Sequence, residues 1–159
     1  MRKPLPPIVL RTAADLTRLR TTWIKAMETD DVRSYERRVI AFKWSRPDGT
    51  SFYNPRQAPI LCHALHNHLE VTDANTNPYR QCEAGVNVAA ASWVASETRY
   101  RHTDAALWQV EFGLCDIAAV PFNHSGKLRV YKATITHKLT RKKLLSVRNG
   151  RAPYMKTAK

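Results

Sequence analysis

The stretch KLRVYKATI, residues 127–135, sets the strongest limit on what this chain can fold into. Leu128, Val130, Lys132 and Thr134 alternate with Arg129, Tyr131, Ala133 and Ile135, a period of two that belongs to a strand. Its β-branched and aromatic residues suit a pleated surface. Two further runs read the same way. VIAFKW, residues 39–44, puts Ile40, Phe42 and Trp44 on one face and Val39, Ala41 and Lys43 on the other. LWQVEF, residues 107–112, carries Glu111 on the face of Gln109 and Leu107. APILC, residues 58–62, is a further short strand.

Helical periods lie between these runs. From Thr12, Leu16, Leu19, Trp23 and Met27 recur at three- and four-residue steps and form one apolar stripe, with Arg18, Arg20 and Lys25 off it. A second helix is expected over residues 87–96, burying Val88, Ala91 and Val94 with Trp93 beside them. CDIAAVPF reads as a short helical turn stopped by Pro121, and His124-Ser125-Gly126 as the turn into the next strand. Pro-Asp-Gly at 47–49 is a turn because Pro presets φ and Gly accepts a positive one. VTDANTNPYR, residues 71–80, is a polar loop. The expected fold is a single compact α+β domain with a mostly antiparallel sheet, an N-terminal helix and one internal helix. Trp23, Phe42, Trp93, Leu107 and Val130 are expected to share its core.

Around this domain, taken as residues 12–136, lie an extended basic arm (1–11), rich in proline, and a basic C-terminal tail (137–159). Three cysteines, Cys62, Cys82 and Cys115, form no CxxC and argue against a disulfide framework. No apolar run approaches the roughly 20 residues of a spanning helix, so no membrane partner is expected.

Charge carries the functional argument. The net charge is +13 in 159 residues, and it is segregated. Residues 117–159 hold eleven Lys and Arg and no acid, while residues 51–116 hold four against seven Asp and Glu. Solubility requires only about 2–8 net charges in a small domain. A segregated excess points instead to a partner with dense negative charge. The tail, HKLTRKKLLSVRNGRAPYMKTAK, reads as a short helix or an extended segment crossing a surface, because Leu139, Leu144 and Leu145 do not share one narrow face. Its candidate nucleic-acid contacts are Lys138, Arg141, Lys142, Lys143, Arg148, Arg151 and Lys156, with Tyr154 to stack on a base.

Chemistry of other kinds finds less support. CHALHNHLE gathers Cys62, His63, His66, His68 and Glu70, with Cys82 as a possible fourth ligand, but the spacing matches neither a zinc finger nor HExxH. No metal is expected there. GxSxG, GxGxxG and P-loop motifs are absent, and no cofactor or catalytic residue is assigned. Cys82 reads as a small core residue, and Glu111 lacks a carboxylate partner for acid–base work.

Cys82-Glu83-Ala84-Gly85-Val86, together with VIAFKW, LWQVEF, Asp116-Ile117-Ala118-Ala119-Val120-Pro121 and Gly126-Lys127-Leu128-Arg129-Val130, resembles a set of small bacteriophage-encoded proteins. Those share a Cys-x-x-Gly-aliphatic turn and a DIAxxP…GKxRV segment, and the resemblance covers about residues 39–135. It implies a phage-type origin, with action in the host cytoplasm or in a virion, and it transfers no active site. Three readings follow. The first is a small basic protein contacting DNA or RNA through phosphates, largely without regard to sequence. The second is a structural or interaction protein, a virion component or an inhibitor of a host protein, whose basic arms clasp an acidic protein surface. The third is a small cofactor-dependent enzyme.

Overall fold

In a computed structural model the chain forms one α+β domain, described over residues 7–28, 37–52, 64–80, 83–100, 103–122 and 126–153. The expected strand 58–62, with Cys62, and also His63, Cys82, His124, Tyr154 and Lys156, lie outside the described residues. The chain runs β1 (Ile8–Val9), α1 (Ala13–Glu28), β2 (Arg38–Ser45), β3 (His68–Glu70), β4 (Val86–Ala89), α2 (Ala91–Ser96), β5 (Ala106–Gly113), β6 (Ile117–Ala119), β7 (Lys127–Val130), β8 (Lys132–Lys138) and α3 (Arg141–Arg148). The sheet order is β3-β8-β5-β2-β4-β7-β6. Those neighbours are antiparallel, and β1 pairs parallel to β2 through Ile8 with Val39 and Val9 with Ile40. Among the described residues no helix is long and apolar enough to cross a membrane.

This order cannot lie flat. β7 and β8 are joined by Tyr131 alone, yet three strands stand between them in the sheet. Four inter-strand steps of about 4.8 Å make roughly 19 Å, whereas one residue spans about 3.5 Å. The sheet must therefore roll until its two edges meet at Tyr131. The hydrogen bonds agree: the Tyr131 amide donates to the Asp116 carbonyl at 2.7 Å, and the Val71 amide donates to the Tyr131 carbonyl at 2.8 Å. Asp116 precedes β6 at one edge and Val71 follows β3 at the other.

The expected single strand over 127–135 is thus corrected to two. Leu128 and Val130 face the same core as Ala133 and Ile135, so the inward parity changes at the bend. A straight strand would have sent Ala133 and Ile135 to the opposite face. The expected helix over 87–96 is also corrected. Val86–Ala89 is a strand, and only Ala91–Ser96 is helical. Val86 and Val88, two residues apart and β-branched, face the inner core and pair with Val130 and Leu128. The helical turn expected in CDIAAVPF shrinks to a 3₁₀ turn at Leu114–Asp116, after which Ile117–Ala119 pairs with β7.

The rolled sheet is covered on both faces. Inside it, Val39, Ala41, Val110, Phe112 and Ile135 pack with Leu16 and Leu19 of α1. Outside it, Phe42, Trp44 and Leu107 pack with Val94 of α2 and with Leu139 and Val147 around α3. The expected shared core is therefore divided. Phe42 and Leu107 belong to the outer cluster, with Trp93 half-buried against it, and Val130 belongs to the inner one. Trp23 is half-buried and joins neither, and the Met27 side chain lies outside the described residues. Alternation in a strand sends neighbours to opposite faces, so a sheet with two covered faces has two cores.

The polar loop 71–80 is tied to β7 from within. Arg129 is fully buried, and its guanidinium donates to the carbonyls of Asn75 (2.7 Å), Arg80 (2.8 Å) and Asn77 (2.7 Å). Gly85, at φ +144°, lies against the same side chain, where an added Cβ would stand 3.3 Å from Arg129 Cδ. Gly85-Val86 and the GKxRV segment are neighbours in the fold, with Gly85 against Arg129 and Val86 paired with Val130.

Candidate nucleic-acid interface

The candidate site is an aromatic cleft on the outer face of the sheet, of about 210 Å³. β2 supplies Lys43 and Trp44 as neighbours in sequence, and the turn that follows brings Phe52 back beside them. Tyr100 and Arg99 arrive from the segment after α2, Trp93 from α2 itself, and Lys127 from the start of β7. The rings contact one another. Phe52 stacks on Tyr100 at 4.6 Å between centroids, and Trp44 is tilted against Tyr100 at 5.5 Å.

Cations lie over two of these rings. The Lys127 ammonium lies 4.5 Å from the Trp93 centroid, and the Arg99 guanidinium 5.5 Å from that of Tyr100. Lys43 donates to the Asn87 carbonyl at 2.9 Å. No carboxylate lines the cleft among the described residues. Glu97 stands behind Arg99, accepting from its Nε at 3.0 Å and its Nη2 at 2.9 Å. Those side-chain hydrogen bonds hold the Glu97 carboxyl below its usual range, against the opposing effect of burial. Among the described residues the lining carries three cations and no carboxylate. Trp44 adds a buried indole Nε1–H with no hydrogen-bond partner among the described residues. A buried donor left unmatched costs on the order of 1–3 kcal/mol.

The tail residues named from sequence fall into distinct places. Lys138 ends β8, exposed, with its ammonium 5.3 Å from the Trp108 centroid. Thr140 caps α3, its Oγ1 accepting from the Lys143 amide at 3.3 Å. Arg141, Lys142 and Lys143 fill the first turn of α3, the first two exposed and the third half-buried. The helix dipole is already positive there, so these cations oppose it, and the turn becomes a concentrated positive end suited to an anion. Leu144 and Val147 turn inward and Leu145 outward, which resolves the conflict among the leucines. Arg151 is exposed beyond the helix.

Arg148 has a different place from the one expected. It is half-buried, and its Nη2 donates to the Thr103 carbonyl. The Thr103 hydroxyl donates to the Tyr100 carbonyl at 3.2 Å. These two bonds link α3 to the segment carrying Arg99 and Tyr100, so the basic helix and the cleft share one support. Comparison with family models, with curated proteins and with solved structures gives no match.

The histidine-rich stretch is disposed otherwise. His66 and His68 are exposed, with His68 Nδ1 at 3.0 Å from Thr134 Oγ1. Among the described residues no group of three or more His, Cys, Asp or Glu is placed to hold a metal. Glu111 pairs with Arg38 at 2.9 Å across β5 and β2.

Sequence reasoning missed the cleft because its walls come from residues 42–52, 87–100 and 127. The available signal was the adjacency of cation and ring in Lys43-Trp44 and Arg99-Tyr100, which marks a surface where both charge and stacking are presented.

Proposed function

We propose that this protein binds nucleic acid, chiefly through phosphates and largely without reading sequence, along the surface that joins the first turn of α3 to the aromatic cleft. The observation that supports this most is the cleft itself. Lys43, Arg99 and Lys127 line it together with Trp44, Phe52, Trp93 and Tyr100, and no carboxylate lies in the lining among the described residues. Phosphates are attracted by such cations with release of condensed counterions, and base faces stack on such rings. The exposed charges of Lys138, Arg141 and Lys142 extend the positive strip toward the tail. The resemblance at 82–86 and 116–130 supports a phage-type origin, with action in the host cytoplasm or in a virion.

The test is affinity for random-sequence DNA and RNA as a function of salt. Replacing Lys138, Arg141, Lys142 and Lys143 with glutamine weakens binding to unrelated sequences about equally. It also flattens the plot of log affinity against log salt by about 0.9 per lost phosphate contact on duplex DNA. An unchanged slope, with collapse of binding to an acidic protein, replaces this reading with the clasp. If neither binding changes, the basic end is a solvated surface.

A further inference from the structure

Resting on that reading, we propose that the cleft seats an unpaired nucleobase, so that the protein prefers single-stranded nucleic acid to duplex. A duplex keeps its base faces stacked on one another and offers phosphates outside and edges in the grooves. Here Phe52, Trp93 and Tyr100 are half-buried, each still presenting surface in the cleft. Their faces match the π-face of any base, which explains how binding remains indifferent to sequence.

The dimensions and charges agree with one nucleotide unit. A cleft of about 210 Å³ admits a single flat ring system and excludes a base pair with its two backbones. Lys127 lies over the Trp93 ring, Arg99 over the Tyr100 ring, and Lys43 lines the same cleft, so that cations stand near the phosphates that would flank a seated base. Trp44, 6% exposed, forms part of the wall and is tilted against Tyr100. The link from Arg148 through Thr103 to Tyr100 couples the phosphate-binding helix to the stacking wall.

The decisive probe leaves the protein unaltered. Affinities are compared at one salt concentration for a deoxythymidine homopolymer, an abasic strand of the same length and phosphate count, and a duplex of that length. The base-bearing strand should bind about tenfold more tightly than the abasic strand, and more tightly than the duplex. Tyr100→Leu and Phe52→Leu, which keep apolar bulk but remove the ring face, should narrow the ratio of base-bearing to abasic affinity. Equal binding of base-bearing and abasic strands, both falling steeply with salt, overturns the base site and leaves the phosphate-binding function standing. No salt-dependent binding to any of the three overturns both. Displacement of the strand by equimolar free thymidine monophosphate makes this a mononucleotide site and overturns the preference for strands.

Discussion

Gly126 lies so close to Trp93 that a Cβ built on it would stand 2.8 Å from the Trp93 Cβ. At φ +100° it also holds a conformation that side chains disfavour. Its carbonyl accepts from the Ala90 amide at 2.6 Å, joining the entry of β7 to the start of α2. Gly126→Ala should therefore cost more than about 1 kcal/mol in urea unfolding, since both backbone and space oppose the methyl. Trp93 should move away from Lys127, and its fluorescence should change in the folded state. A neutral substitution would mean that the backbone at Gly126 and the Trp93 side chain yield easily.

Arg129 is the internal clamp of the 74–80 loop. Arg129→Lys keeps the charge but reaches at most a subset of the three carbonyls. Charged hydrogen bonds contribute about 1.5–3 kcal/mol each, so the loss should be on the order of 3 kcal/mol. Limited proteolysis should then cut first within residues 72–80. Cleavage elsewhere, with the loop intact, would show that the loop holds without its clamp.

Asp15 carries an acid-dependent part of the stability. Burial raises the pKa of its carboxyl, but hydrogen bonds from the Arg11 amide, the Arg18 side chain and the Thr12 amide outweigh that and lower it. The folded value lies below the unfolded one, so the contribution is complete above pH 3.8 and fades as pH falls through the folded value. Asp15 accepts at 2.9 Å from both the Arg11 and Thr12 amides, while Thr12 Oγ1 accepts from the Asp15 amide at 3.3 Å. This is a capping box at the start of α1. Asp15→Asn should cost about 1 kcal/mol at pH 7, and the difference from the parent should close at strongly acid pH. A difference independent of pH would make the contribution one of shape rather than charge.

Arg141, Lys142 and Lys143 oppose the dipole of the helix they begin. Replacing all three with glutamine should raise thermal stability at low salt, by about 0.3 kcal/mol or more per charge, and the gain should shrink in high salt. Higher stability with weaker nucleic-acid binding is the combination expected of residues kept for a ligand. Lower stability would place these cations in the structural frame.

What could be read locally was read well where alternation was strict. VIAFKW and LWQVEF are strands β2 and β5, paired antiparallel from Arg38 with Gly113 to Ser45 with Ala106. The stripe of Leu16 and Leu19 is the buried face of α1. A pattern of side chains states which way each residue points relative to its neighbours, and that much needs no partner. Val86–Ala89 was illegible because Val-Asn-Val-Ala between a glycine and a run of alanines suits either state. Pairing of Val86 with Val130 and of Val88 with Leu128 decides it for the strand. The break at Tyr131 was illegible for a similar reason. Its residues all favour extended backbone, and only closure of the sheet's two edges on Asp116 and Val71 forces the change of face.

Net charge and its segregation toward residue 159 were determined by the sequence alone, because charge counts without geometry, and the polyanion partner is proposed from them. The cleft was decided only by tertiary structure. Lys43, Trp44, Phe52, Trp93, Arg99, Tyr100 and Lys127 meet because the rolled sheet carries β2, β4 and β7 side by side and sets α2 above them. Local sequence specifies which residues are aromatic and which are charged. Which of them become neighbours depends on strand pairing between distant segments, and that is a property of the closed sheet rather than of any one stretch of it.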